Sequence, residues 1–131
     1  MPLKETELAY IAGLIDGEGC FLIRKVGGTL QLRVTIANTE RKVMEWLKKT
    51  LGGCYWASYI NRHKMLYTWE MSGKLVKEIL PQIYPYLIIK EEQANIASKF
   101  LLTVNASNRR LSKQIITERN ILKENLTSCH H

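Results

Sequence analysis

Cysteine is sparse in this chain and its hydrophobic runs are short, and both shortages narrow what the protein can be. The three cysteines, Cys20, Cys54 and Cys129, are odd in number and far apart, so neither a disulfide framework nor a Cys-rich zinc module is expected. No apolar stretch approaches membrane-spanning length, and the N-terminal segment, with Lys4, Glu5 and Glu7, lacks the apolar centre of a signal peptide. A soluble, intracellular protein with no membrane partner is the expectation. No low-complexity tract, long linker or compositional break divides the 131 residues, which predicts one domain over 1–131. The closing Cys129-His130-His131 would suit a soft metal, yet two final histidines read equally as a loose end or the remnant of a tag.

What is present is a core-forming, basic composition. Hydrophobic residues make up 46% of the chain, and 19 Lys and Arg against 12 Asp and Glu leave a net charge of +7. Such a field attracts polyanions, which puts nucleic acid first among partners, although solubility alone also accounts for a modest excess.

The hydrophobic periods predict the order αββαββαα. Thr6 is placed to cap a helix over residues 7–16, with Gly17 and Gly19 marking its end. Leu8, Ile11 and Ile15 form its apolar stripe, while Ala9, Ala12, Gly13 and Gly17 form a second stripe of small residues. Residues 20–26 and 30–36 read as two strands joined at Gly27-Gly28. In the second strand Leu30, Leu32, Val34 and Ile36 alternate with Gln31, Arg33 and Thr35, giving one apolar and one polar face. Thr39 is placed to cap a second helix with Glu40 in its first turn; Val43, Trp46, Leu47 and Leu51 face inward and Gly52-Gly53 end it. A second hairpin follows over residues 55–60 and 66–71, turning at 61–64, and Ser72 opens a short helix stopped at Pro81. Ile96, Ala97, Phe100, Leu101 and Val104 predict another helix after Lys90, and Ile115, Leu122 and Leu126 a last one from about Leu111.

The chemistry concentrates in residues 11–19, which read IAGLIDGEG. Ala9, Gly13 and Gly17 recur every four residues, the spacing at which small side chains let a second helix approach closely. Asp16 and Glu18 then fall at the helix end, where free carbonyls already carry partial negative charge, so a compensating cation is called for. Glu18 and a backbone carbonyl are hard oxygen ligands of the kind Mg²⁺ accepts while keeping several waters. On these residues alone, solvated acids or acids paired with Lys and Arg explain the pattern as well.

The stretch resembles the signature of the LAGLIDADG homing endonucleases, with Ile11 in place of the first Leu and Gly17-Glu18-Gly19 closing it. The first hairpin, the Leu51-Gly52-Gly53 helix end and the segment from Tyr84 through Lys90 to Asn95 resemble the same family, so the likeness runs from Leu8 to about Leu102. It implies an α+β fold of αββαββα order whose antiparallel sheet forms a DNA-binding saddle, followed by a C-terminal helix. By that resemblance Glu18 is the metal-binding acid and Gly17 offers its carbonyl to the same ion. Mg²⁺ is the implied cofactor, with Mn²⁺ able to substitute. Lys90 matches the active-site lysine, Asn38 a polar residue that orders water near the metal, and Arg41 or Lys42 a nearby basic residue. For Asn38, Arg41 and Lys42, a helix cap or a solvated surface charge is the competing explanation. Asp16, the only aspartate, is assigned to the helix end and interface.

The motif occurs once, whereas cutting two strands needs two sets of acid and metal, so a homodimer is expected. Packing through Ala9, Ala12, Gly13 and Asp16 would bring two Glu18 side chains under one minor groove and make the duplex target nearly palindromic. Arg24, Gln31, Arg33 and Thr35, with Asn61, Arg62 and Lys64 near the second turn, are the candidates for reading bases and phosphates. Tyr67, Trp69 and Met71 are assigned to the core. The expected function is site-specific, metal-dependent cleavage of double-stranded DNA, as in intron homing. The alternative is a non-cleaving protein of the same fold, an intron RNA maturase or a DNA-binding regulator. A generic α+β dimer explains neither the motif nor the charge.

Overall fold

In the computed structural model, which describes residues 2–105 and 113–129, the predicted elements follow one another in sequence, with three α-helices after the second hairpin where the order αββαββαα counts two. Helix α1 (Glu5–Glu18) starts two residues earlier than expected because Glu7 Oε1 reaches back to accept the Lys4 N–H at 3.0 Å, so Thr6 lies inside the helix rather than at its cap. Leu8, Ile11, Ala12 and Ile15 are buried along one stripe. Ala12 therefore belongs to the core face, and the exposed small-residue face is Ala9, Gly13 and Gly17. The helix also runs two residues past Asp16 and passes straight into strand β1 (Gly19–Val26) with no loop. Gly19 is extended there, and a Cβ on it would lie 2.6 Å from Ile15 Cα, so this sharp exit requires glycine for space.

Strand β1 pairs with β2 (Thr29–Asn38) across Gly27-Gly28, whose φ angles of 55° and 84° are the left-handed pair that a two-residue hairpin demands. Helix α2 (Arg41–Leu51) begins one residue later than expected. Asn38 Oδ1, not Thr39, accepts the Glu40 N–H at 2.8 Å, and Glu40 is the cap residue. Met44 joins Leu47 as its fully buried residues. Strands β3 (Cys54–Asn61) and β4 (Lys64–Ser72) turn at Arg62-His63, where Asn61 Oδ1 accepts the His63 N–H at 2.8 Å. The four antiparallel strands lie in the order β1-β2-β4-β3.

Helix α3 (Gly73–Ile83) does not stop at Pro81. The proline sits near the C-terminal end, where losing one N–H costs little ladder, and the helix continues two residues before a 3-10 turn at Tyr84–Tyr86. Helix α4 (Glu91–Asn105) and α5 (Lys113–Ser128) pack on each other, pinned by Arg119, whose Nε donates to Thr103 Oγ1 at 2.9 Å beside the Phe100 ring. Burial pulls the Arg119 guanidinium below its ordinary pKa. Leu122 and Leu126 are buried as predicted, while the placements proposed for Leu111, Val104, Ile115, His130 and His131 lie outside the described residues or side chains. One hydrophobic cluster draws on all five helices and on β1, β2 and β4, and Trp69 and Met71 are buried in it with Tyr67 packed against it. Among the described residues no helix is long and apolar enough to cross a membrane.

Candidate functional site

The antiparallel register fixes which side chains share the sheet face away from this core. Phe21, Ile23, Leu32, Val34, Ile36, Trp69 and Met71 point into it. Residues of opposite phase stay out: Cys20 and Arg24 on β1, Gln31, Arg33 and Thr35 on β2, Thr68 and Glu70 on β4, and Trp56 on β3. Arg24 stands opposite Gln31, and Thr35 is flanked by Cys20 and Glu70. The alternation along β2 thus becomes a polar surface across four strands. Asn61, Arg62 and Lys64 are exposed at the β3–β4 tip.

Glu70 was not among the sequence candidates, because the alternation of aromatic and β-prone residues in β4 gives no sign of its partners. It is buried, with Arg33 Nη1 donating to its Oε2 at 2.7 Å and Arg24 Nη1 lying 3.5 Å from its Oε1. Arg33 Nη2 donates to Gln31 Oε1 at 3.0 Å. Trp56 also escaped notice; alternation could have placed it on this face once the register was known.

At the end of α1 the two acids behave differently. Asp16 accepts the Ile88 N–H at 2.9 Å on Oδ2 and the Lys90 N–H at 3.0 Å on Oδ1, while Lys90 Nζ donates to the Asp16 carbonyl at 2.9 Å. One residue therefore ties the segment before α4 to the end of α1 and seats the Lys90 ammonium against the negative pole of the helix. Of the two roles expected of Asp16, these bonds belong to the helix end, with each carboxylate oxygen accepting one N–H of its own chain. Glu18 is exposed and makes no hydrogen bond or ion pair among the described residues. The Ile15 and Asp16 carbonyls are taken by the Gly19 N–H and Lys90 Nζ, leaving that of Gly17 at the open tip.

Cys20 lies between this tip and the polar sheet face. Burial pushes its thiol above the ordinary pKa, against the opposing charges of Lys90 and Arg24. Those two cations therefore flank one β1 residue, which joins the two parts of the site.

Asn38 sits two residues beyond the Gly19–Ile36 pair, alongside the end of α1, and its oxygen is committed to the turn before α2. The contacts of Arg41 and Lys42 are with residues other than Glu18. Arg41 pairs with Glu45 at 3.1 Å and bonds Tyr55, whose hydrogen bond and charge chiefly hold the guanidinium above its ordinary pKa. Lys42 lines a hollow with Thr6, Glu7, Tyr10, Val43 and Trp46. That hollow lies on the N-terminal half of α1, and even Tyr10 is about 12 Å along the axis from Glu18. The first turn of α2 is oriented by packing that the sequence spacing did not convey.

No group of three or more Asp, Glu, His or Cys side chains converges among the described residues. An ion at the α1 tip would therefore draw on Glu18, a carbonyl, waters and groups from outside this chain. The available donors are all oxygen, which suits Mg²⁺ or Ca²⁺ better than a soft metal. Gly13 and Gly17 have open space where a Cβ would stand. Among the described residues nothing requires glycine at either, although each costs roughly 0.5–1 kcal/mol of helix stability relative to alanine.

Comparison with known proteins places these features in company. The sequence pattern described as LAGLIDADG endonuclease matches residues 11–100. No curated protein matches the chain. Among solved structures, the homing endonuclease I-CvuI bound to the I-CreI target is similar with a TM-score of 0.78 at 17% identity, over 95% of this chain and 82% of that one. The homing endonuclease I-TnaI is similar with a TM-score of 0.73 at 19% identity, over 98% of this chain and 97% of that one. I-GzeII in complex with its DNA target is similar with a TM-score of 0.79 at 17% identity, over the whole chain but only 47% of its own.

Proposed function

Because this chain belongs to the LAGLIDADG endonuclease family, we propose that it cuts both strands of one long, nearly palindromic DNA site as a homodimer, using Mg²⁺ with Mn²⁺ as a possible substitute. The observation that carries this is the contrast at the α1 tip. The Glu18 carboxylate is exposed and unpaired among the described residues, while Lys90 is held at the same helix end through Asp16. Glu18 and the Gly17 carbonyl would hold the ion, which supplies Lewis-acid stabilisation of the phosphate oxygens when bound. The chain's own contribution is positional. Asp16 fixes the backbone of Lys90, and the ammonium then stands where negative charge grows on the scissile phosphate. Asn38, whose oxygen is engaged, keeps its N–H₂ group to order water near the same place.

The dimer reading is supported by the open face of α1. Ala9, Gly13 and Gly17 form a flat exposed strip, and the incomplete set of ligands in one chain calls for a second. The chain also spans about half of I-GzeII while matching nearly all of I-TnaI, as expected if two copies do the work of one longer chain. Gly13→Leu should leave the fold intact and shift the protein from dimer to monomer in sedimentation, with loss of double-strand cutting.

In such a dimer Arg24, Gln31, Arg33 and Thr35 face the major groove, and Asn61, Arg62 and Lys64 reach the flanking backbone or bases. I-CvuI complexes with DNA were solved in the presence of magnesium or calcium, which accords with the oxygen donors here. The deciding experiment is cleavage of a plasmid library of nearly palindromic sites in Mg²⁺, with Ca²⁺ and EDTA as controls. Linear product from one site in Mg²⁺ alone supports the proposal. A dimer that cuts nothing but binds structured intron RNA more tightly than any duplex would replace it with the maturase reading.

A further inference from the structure

We infer that Gln31 and Arg33, with Glu70 as their positioning residue, form a reading site that leads with hydrogen-bond donors and selects guanine in the major groove; this rests on the duplex-DNA reading above. A carboxylate on a surface that meets a polyanion is unfavourable unless its charge is used internally. Glu70 is 7% exposed, and its two oxygens face Arg33 Nη1 at 2.7 Å and Arg24 Nη1 at 3.5 Å. It is too covered to touch DNA, and it anchors the side chain beside it.

The next bond in the relay fixes an orientation. Arg33 Nη2 lies 3.0 Å from the Gln31 side chain, and a guanidinium has no acceptor, so the contacting atom is the amide oxygen. The Gln31 N–H₂ group is thereby the end left to face outward. A free glutamine reads adenine by accepting from N6 and donating to N7, which needs that same oxygen. One lone pair of that oxygen is held by Arg33, which turns the amide so that its donor end leads, and adenine and cytosine would then each set an amino donor against donors. Guanine instead offers two acceptors, O6 and N7. Arg33 Nε is buried without a partner, so the guanidinium is held through its two outer nitrogens. Each of those keeps one hydrogen for a base edge.

The test separates recognition from cleavage. Duplexes randomised along one half-site are bound in Ca²⁺ and sequenced for the wild-type dimer, Glu70→Gln and Arg33→Lys, with thermal melting to establish that each is folded. The expected wild-type profile has a half-site position at which guanine is favoured by about tenfold or more, as a two-pronged base contact allows. Both variants should flatten that position alone and admit adenine there, since each frees the Gln31 oxygen. If Glu70→Gln does not fold, Arg33→Lys decides by itself. A wild-type profile with no guanine-selective position overturns the inference. So does a folded variant whose profile overlays the wild type, or one that loses affinity equally at every position. Failure of the wild-type protein to select any duplex would instead remove the DNA reading on which the inference stands.

Discussion

The α1 tip and the open sheet face each carry a glutamate on the side of the same proposed ligand, and they treat it in opposite ways. Glu70 is buried between two arginines, so its charge is neutralised by side chains before anything arrives. The Glu18 carboxylate stands exposed with no partner among the described residues, while Lys90 at the same helix end is committed to the Asp16 carbonyl. A carboxylate that serves as a structural anchor is balanced within the protein, whereas one that serves as a ligand is left for a cation to balance. The difference between the two identical side chains is therefore one of surroundings.

The sharpest way to break that comparison is to remove one negative charge at the tip. Glu18→Gln is expected to lower cleavage by on the order of 10³-fold while site binding in Ca²⁺ persists, and EDTA should mimic it with the unmutated protein. Cleavage at the normal rate by that variant would return Glu18 to the status of a solvated acid. Next in size, Lys90→Met should slow cleavage about 10²-fold with little change in affinity. A large affinity loss instead would place Lys90 in recognition.

Asp16→Asn addresses how the tip is built. An amide cannot accept on both sides, so one of the two N–H groups of Ile88 and Lys90 loses its partner, at a cost of about 1–3 kcal/mol in urea unfolding. The smallest effects contrast the two arginines of the sheet face. Arg33→Ala leaves a covered Glu70 with one distant partner and should cost about 2 kcal/mol, somewhat softened by the partial exposure of the pair. Arg24 is half exposed and 3.5 Å away, so Arg24→Ala should cost under about 1 kcal/mol. Equal losses from the two substitutions would show that Glu70 is not anchored on one side.

The sequence by itself determined the elements and singled out the segment whose chemistry is proposed. Period and alternation placed helices and strands, Gly27-Gly28 and Gly52-Gly53 marked their turns and ends, and the segment 11–19 pointed to Glu18. These are local signals, written within a few residues of the structure they specify. Tertiary structure decided everything that depends on a distant partner. Asp16 meets Ile88 and Lys90 across 72 and 74 residues, and Glu70 meets Arg33 across 37, so no spacing rule connects them. Ala12 could be separated from Gly13 and Gly17 only once the core had chosen a face of α1, and the neighbours of Lys42 were set only once α2 had docked. The physical reason is common to all of these. Periodicity states which side of an element is apolar, but the orientation in which elements pack, and hence which polar groups come within hydrogen-bonding distance, is fixed by the shape of the assembled core.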